Sequence, residues 1–318
     1  MARQRRRKGD AITGWLNLHK PLNMTSTQAV GKSKRVFNAR KAGHGGTLDP
    51  LADGVLPIAL GEATKTAQWA MDCDKEYTFT TAWGTATSTL DREGEVVASS
   101  DVRPTEAQIR QILPQFLGPQ LQVPPKFSAL KIAGARAYDL AREGEDFGLA
   151  ARDVEVYETE LIDIPDAHHA TFRVVSGKGF YVRAMARDLA EKLSTQGHVS
   201  QLRRTRVGTM RLSDAMQFER LEELADPQAD KTALLECLQP IQSVLLDVPQ
   251  IELRAQDADD IRLGRPVVVL PHMLEKWHAQ CEQNGADRLT LSLCNGQAVA
   301  LGEIRAGRFH PQRVFQIE

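Results

Sequence analysis

One carboxylate, Asp49, sits in the densest run of chain-bending residues in this sequence: Gly43-His44-Gly45-Gly46-Thr47-Leu48-Asp49-Pro50-Leu51-Ala52-Asp53-Gly54. Glycines let the backbone approach another molecule closely, and Pro50 biases Asp49 toward an extended conformation. A carboxylate aimed by so stiff a loop can attack a sugar carbon or take a proton. Glycoside hydrolysis would need a second carboxylate as acid. Asp53 is the nearby one, and it reads as structural. Loops of this composition are more often plain turns. The glycine spacing fits neither a P-loop nor a dinucleotide fingerprint.

Four further side chains are candidates: His44 inside the loop, Tyr77 in an alternating segment, and Tyr181 and Arg183 at the end of Gly177-Lys178-Gly179-Phe180-Tyr181-Val182-Arg183. Singly, each has a plain reading: a hydrogen-bonded histidine, core or pocket tyrosines, a solvated arginine. Arg183 stands out, because a cation at a helix start opposes the helix dipole unless a carboxylate holds it.

The elements that must carry these residues follow from pattern. Val55–Leu60 is an apolar run of buried-strand type, a rigid base for the loop. A short strand covers Trp15–Leu18, and Ser26 can cap a helix through about Asn38. Glu62–Met71 reads as helix, Lys75–Thr87 as one long alternating strand, and Glu95–Ala98 as its partner across a turn at Asp91–Gly94. Pro104 can start a helix to about Phe116. Strands at Val154–Ile164 and Thr171–Ser176 precede a helix at Ala184–Leu193. Between them, about 124–150 forms a basic, glycine-punctuated insertion with at most one short helix near Ala135–Arg142. Pro240–Pro249 reads as a link. Beyond it, Gln250–Arg254, Pro266–Leu270, Arg288–Cys294, Gln297–Arg305 and Arg313–Ile317 read as short strands, with Asn295-Gly296 a hairpin signal.

The 318 residues, 42% hydrophobic and 25% charged, are those of an ordinary globular protein. Four cysteines without a CxxC pair suit a reducing compartment, expected to be the cytoplasm. No run reaches membrane-spanning length. The net charge is −1, yet Arg3, Arg5, Arg6, Arg7 and Lys8 form a basic arm, expected to be disordered. Basic clusters at Lys32–Lys41 and Arg203–Arg211 suit a reader of folded nucleic acid.

The chain resembles the TruB family of tRNA pseudouridine synthases over nearly its full length. The resemblance rests on His19-Lys20-Pro21 with Met24-Thr25-Ser26, on Ala42–Gly54, on Gly61-Glu62-Ala63-Thr64-Lys65 and on Lys75-Glu76-Tyr77. It extends to Pro124–Lys131, Lys178–Arg183 and Leu202-Arg203-Arg204. It implies an α+β fold: a mixed, largely antiparallel pseudouridine-synthase sheet flanked by helices, with a small C-terminal β-barrel that is PUA-like. The domains would be a basic arm at 1–10, a catalytic domain at 11–245 and an RNA-binding domain at 250–318, with 124–150 clasping RNA.

The resemblance also implies isomerisation of the T-loop uridine of tRNA, uridine-55, to pseudouridine. No cofactor, metal or obligatory protein partner is expected, and the chain should act as a monomer. By the same resemblance Asp49 is essential, Arg183 pairs with it and orients it, and Tyr77 stacks on the uracil and helps remove the C5 proton. Tyr181 lines the pocket, Leu202 gives it an apolar wall, and His44 stacks within the RNA in favour of the extruded base. Lys20 joins the substrate-binding groups, and Arg203 and Arg204 are expected on phosphates. Departures from the pattern are His19 and Asn23 for Asp and Gly, Gly45 for Thr, Ser88 for an acidic residue, and Phe180 for Thr. Three rival readings have distinct signatures: an RNA-folding chaperone, a synthase working inside a guide-RNA particle, and a glycan hydrolase using Asp49 and Asp53.

Overall fold

The computed structural model describes residues 9–128, 131–132, 135–136, 147–226, 231–285 and 289–317. The basic arm up to residue 8 and the middle of the expected insertion lie outside the described residues.

In chain order the elements are β1 (Gly14–Lys20), α1 (Ser26–Val36), β2 (Ala42–His44), β3 (Ala52–Leu60), a 3₁₀ turn at Gly61–Thr66, α2 (Ala67–Asp72) and β4 (Lys75–Trp83). Next come β5 (Thr85–Thr87), β6 (Val96–Ser99), α3 (Glu106–Ile112), β7 (Gly118–Gln122), β8 (Lys131–Ile132) and β9 (Ala135–Arg136). Then follow β10 (Arg152–Asp166), β11 (His169–Ser176), α4 (Val182–Lys192) and β12 (Gly197–Val207). The main sheet runs from the short strand Met216–Gln217 through β1, β3, β12, β4, β11, β10 and β7. Neighbours are antiparallel except at Met216–Gln217 with β1 and at β3 with β12. This is the expected mixed, largely antiparallel α+β sheet.

Local chemistry sets the boundaries. The Thr25 side chain, not Ser26, caps α1: it accepts from the Gln28 amide while the Gln28 side chain accepts from the Thr25 amide. That leaves the Ser26 hydroxyl for another task. The strand expected at Lys75–Thr87 breaks at Gly84, whose φ of 98° turns the chain between β4 and β5. The helix expected at Glu62–Met71 starts as a 3₁₀ turn. Ala135–Arg136, expected to begin a short helix, instead pairs as a strand with Lys131–Ile132.

The largest miss of sequence reasoning is β12, the strand between β3 and β4. Two bulges, at Val199/Gln201 and Arg204/Arg206, interrupt its pairing with β4. Each bulge flips the inside–outside alternation, so no clean period of two survives in the sequence.

One core lies between α4 and the sheet, where Phe79, Phe172 and Trp83 pack with Met185 and Leu189. Phe79 stacks on Phe172 at 5.2 Å between ring centroids, and Trp83 meets Phe172 edge-on at 6.3 Å. A second core sits where α1 covers β1 and β3: Leu16, Leu18, Leu56 and Ile58 meet Ala29, Phe37 and Leu48.

Residues 250–317 form a curled half-barrel of five strands in the order Gln250–Glu252, Leu289–Cys294, Gln297–Arg305, Arg308–Val314, Val267–Val268. The last long strand therefore starts earlier than the expected Arg313. Two helices, Ala255–Arg262 and Pro271–Asn284, were not anticipated. The second begins at Pro271 and stops at Gly285 with φ 57°, the usual proline start and glycine stop. The stretch expected as a link is itself packed. Ile241, Val244 and Leu245 join Trp15 and Val55 of the main sheet to Leu291, Leu301 and Phe315 in one core. No helix among the described residues is long and apolar enough to cross a membrane.

Candidate active site

The loop from Gly45 to Asp53 is fastened residue by residue. The Gly45 amide donates to Pro57 O at 2.9 Å, and Gly46 O and Thr47 O accept from Arg204 at 3.1 Å each. Leu48 is gripped from both sides by the Ser26 hydroxyl at 2.9 Å. Asp49 O accepts from Ala52 N at 3.0 Å, and Pro50 O accepts from Asn23 N at 2.8 Å. Asn23 has φ 61°, a left-handed conformation that Asn tolerates better than most residues. That accounts for a departure noted in the sequence: the position calls for Gly or Asn.

Held this way, the Asp49 side chain meets Arg183, whose Nη2 lies 3.0 Å from Asp49 Oδ2. Arg183 is the first-turn cation whose charge opposes the helix dipole; it lies in α4, where Tyr181 holds the N-cap position without a side-chain capping bond. The guanidinium is itself buried, and both of its Nη groups are engaged. Nη1 donates to Thr89 O at 2.9 Å and lies 3.4 Å from Asp91 Oδ2, and Nη2 donates to Phe127 O at 2.9 Å. Asp91 is the carboxylate that sequence reasoning missed, having read the Asp91–Gly94 segment only as a turn. Asp91 Oδ1 accepts from Thr89 Oγ1 at 2.5 Å and from Glu93 N at 3.1 Å, so it is fixed in place. Arg183 thus bridges a buried carboxylate and one that is 38% exposed at the side chain. Such a guanidinium fork orients the open carboxylate with little freedom to turn.

A cavity of about 330 Å³ opens beside this pair, lined by Asp49, Tyr77, Tyr181, Arg183 and Leu202, together with Met71 and Lys75. The volume lies at the lower end of the roughly 300–1,000 Å³ typical of small-ligand clefts. Tyr77 reaches it from β4 opposite Arg204, and Leu202 from β12 opposite Phe79. Tyr181 is clamped by Gln122, which accepts from its amide at 2.8 Å and donates to its carbonyl at 3.1 Å. Burial raises the Tyr181 hydroxyl above its ordinary pKa, so it stays protonated at neutral pH. Lys75 is buried, and burial, followed by the charge of Arg204, pulls its ammonium down to about 8. A narrow gap lined by Asp49, Asp91, Arg183, Gln201 and Leu202 adjoins a wider cleft of about 740 Å³. Leu202 and Asp53 line that cleft with the hydroxyls of Thr78, Thr80, Thr171 and Ser200.

Two of the expected RNA contacts, Arg204 and Lys20, are corrected by their burial. Arg204 is 1% exposed, and its donors are used on Val55 O, Thr47 O and Gly46 O. A phosphate cannot reach it; it bolts the glycine loop to β12. Lys20 is fully buried and donates to Pro21 O and Met24 O at 2.8 Å. Burial lowers its ammonium to about 8 despite the pull of Asp53 and Asp49. It lies behind the loop and not on a binding surface. Arg203, by contrast, is half exposed while it grips Asp53 bidentately, at 3.0 and 2.7 Å. Burial works against the Asp53 charge, yet the Arg203 bonds, with His19, hold its carboxyl below the usual range. Asp53 thus anchors Arg203. His44 lies in β2 at the loop's edge; its Nδ1 accepts from Gly46 N at 3.3 Å. Burial and the Arg204 charge lower its pKa, leaving the imidazole neutral at pH 7.

This architecture has solved counterparts. It matches a chain of a Cbf5-Nop10-Gar1 complex with a TM-score of 0.70 and 24% identity, covering 95% of this chain and 85% of that one. It also matches a chain of an H/ACA RNP bound to a substrate RNA containing 2'-deoxyuridine. There the TM-score is 0.69 and the identity 21%, over 99% and 92% of the two chains. At such identities the fold is what is shared. Residues 34–182 match the N-terminal domain profile of the TruB family pseudouridylate synthases. Residues 183–246 match the C-terminal domain of tRNA pseudouridylate synthase B. Fold and profiles define a pseudouridine synthase, an isomerase. Among full-length relatives, "tRNA pseudouridine synthase B" of Caulobacter vibrioides is 50% identical over 98% of this chain and 99% of its own. That of Rhizobium johnstonii is 44% identical over 99% and 100%. The chain belongs to the TruB family.

Proposed function

We propose that this enzyme converts the T-loop uridine of tRNA, uridine-55, to pseudouridine, with Asp49 as the essential group. The observation that carries the reading is the Asp49 carboxylate, held 3.0 Å from the buried Arg183 in the lining of a cavity it shares with Tyr77, Tyr181 and Leu202. The target nucleotide must leave its stack to enter such a cavity, at a cost of a few kcal/mol. A neutral His44 at the loop's edge is suited to stack within the RNA and favour the extruded base. Tyr77 stacks on the uracil, and Leu202 supplies the apolar wall.

The reaction breaks C1′–N1, turns the uracil, forms C5–C1′ and releases the C5 proton to solvent with the help of Tyr77, while N1 takes up a proton in its place. The carboxylate can drive it by bonding to C1′, as a glycosidase nucleophile does, or by taking the 2′ proton. In either case Arg183 keeps the reacting oxygen aimed at the ribose. The catalytic domain spans 11–245. Residues 250–318 act as a PUA-like RNA-binding domain, and 124–150 clasp the T-arm. We infer a cytoplasmic monomer that acts on free tRNA without a protein partner.

Tritium release from C5-labelled uridine in an unmodified tRNA transcript tests the reading. The purified chain should release label, and Asp49→Asn should release none while binding tRNA within a few-fold of wild type. Release without Asp49, or loss of binding to the same degree as turnover, would make Asp49 a structural residue. No release by wild type would leave a pure chaperone or a guide-RNA-dependent enzyme.

A further inference from the structure

Gly45 begins the fastened loop, and no side chain fits there. A Cβ at this position would lie 2.5 Å from Ala70 Cβ, 3.3 Å from Pro57 Cβ and 3.3 Å from the Trp15 ring. Gly45 is not among the positive-φ glycines, so the demand is for space and not for backbone freedom. The tightest neighbour, Ala70, is 1% exposed and belongs to α2.

Ala70 cannot readily withdraw. Lys75 Nζ donates to the carbonyls of Ala70, Met71 and Cys73, tying the end of α2 to the start of β4. At the other end, the 3₁₀ turn Gly61–Thr66 is seated on the last strand of the C-terminal sheet. Gln316 N donates to Glu62 Oε2 at 3.0 Å, Lys65 Nζ donates to Val314 O at 2.6 Å, and Arg313 donates to Lys65 O. The Arg313 guanidinium also lies 5.4 Å from the centre of the Trp69 ring. Residues 61–72 therefore form a strut between the C-terminal domain and the Asp49 loop. Met71 and Lys75 complete the contact by lining the Asp49 cavity.

We propose that Gly45 and Ala70 are a size-matched pair of positioning residues, through which the strut 61–72, seated on the C-terminal domain, sets the reach of the Asp49 carboxylate. The proposal rests on the isomerase reading given above. Extra volume at residue 45 pushes the loop outward, and a small displacement of the reacting group is enough to slow chemistry without weakening binding.

The test uses the full chain and an unmodified tRNA transcript. Gly45→Ala should lower kcat about tenfold or more and leave KM within about threefold. Ala70→Gly removes the opposing methyl; in the Gly45→Ala/Ala70→Gly double variant kcat should return to within about threefold of wild type. Amide exchange of residues 46–52 should accelerate in Gly45→Ala and recover in the double variant. Wild-type kcat in Gly45→Ala, or no recovery of either readout in the double variant, would overturn the proposal. If wild type releases no tritium, the isomerase reading falls, and the exchange rates of the two variants still decide whether Ala70 positions the loop.

Discussion

Ser26 Oγ and the Leu48 peptide groups hold each other reciprocally, at 2.9 Å in both directions, in a buried setting one residue before Asp49. The hydroxyl is free to do so because Thr25 and Gln28 complete the helix cap between themselves. Ser26→Ala leaves a buried N–H and C=O without partners and should cost about 1–3 kcal/mol of stability. It should also lower kcat more than it raises KM for tRNA. Chemical denaturation and steady-state tritium release check both; unchanged kcat would mean that the loop does not need this clasp.

Arg183 divides its donors among two carbonyls and two carboxylates. Lysine keeps the charge but cannot span four acceptors with a planar fork. Arg183→Lys should reduce turnover by about two orders of magnitude, the cost of about 1 Å of misplacement, with tRNA affinity nearly unchanged. A rate within a few-fold of wild type would show that charge alone, without geometry, suffices beside Asp49.

Arg204 and Arg203 separate a buried bolt from a surface ion pair. Arg204→Met strands the carbonyls of Gly46, Thr47 and Val55 and should destabilise the fold by on the order of 3 kcal/mol. It should leave the salt dependence of tRNA binding unchanged. A phosphate contact would instead lower the slope of log K against log salt by about 1. Binding titrations at several salt concentrations decide the point.

Lys20 and Lys75 share a pH signature. Each falls from 10.5 to about 8 in the folded chain. Between those values the unfolded chain binds more protons than the folded one, so these two groups make stability rise with pH. Below about pH 8 both are charged in both states, and their burial penalty is then fully present. Urea midpoints measured from pH 8 to 10.5 should climb less steeply in Lys75→Met than in wild type. Equal slopes would show that Lys75 titrates normally.

Much of the site could be read from residue types. The glycine–aspartate loop, its β3 anchor and the uneasy cation at the start of α4 all carry local signals, and the Arg183–Asp49 pair joins two of them. What stayed hidden depends on contacts between distant segments. Lys20 and Arg204 look like surface cations in sequence; only the fold reveals that backbone carbonyls surround them. Asp91 sits in a turn of ordinary composition, and nothing local marks it as the second partner of Arg183. β12 lost its alternation to two bulges. The helix Pro271–Asn284 did carry its proline start and glycine stop, but the strand-like runs around it set the expectation for the region.

Trp15 near the beginning of the chain and Phe315 near its end are both fully buried in the same core. During synthesis the first strand must therefore wait for the last before its indole is sealed from water. The catalytic sheet and the half-barrel should melt as a single cooperative unit. Severing the chain between them would leave two fragments, each with a raw greasy face, prone to clump and not to work alone.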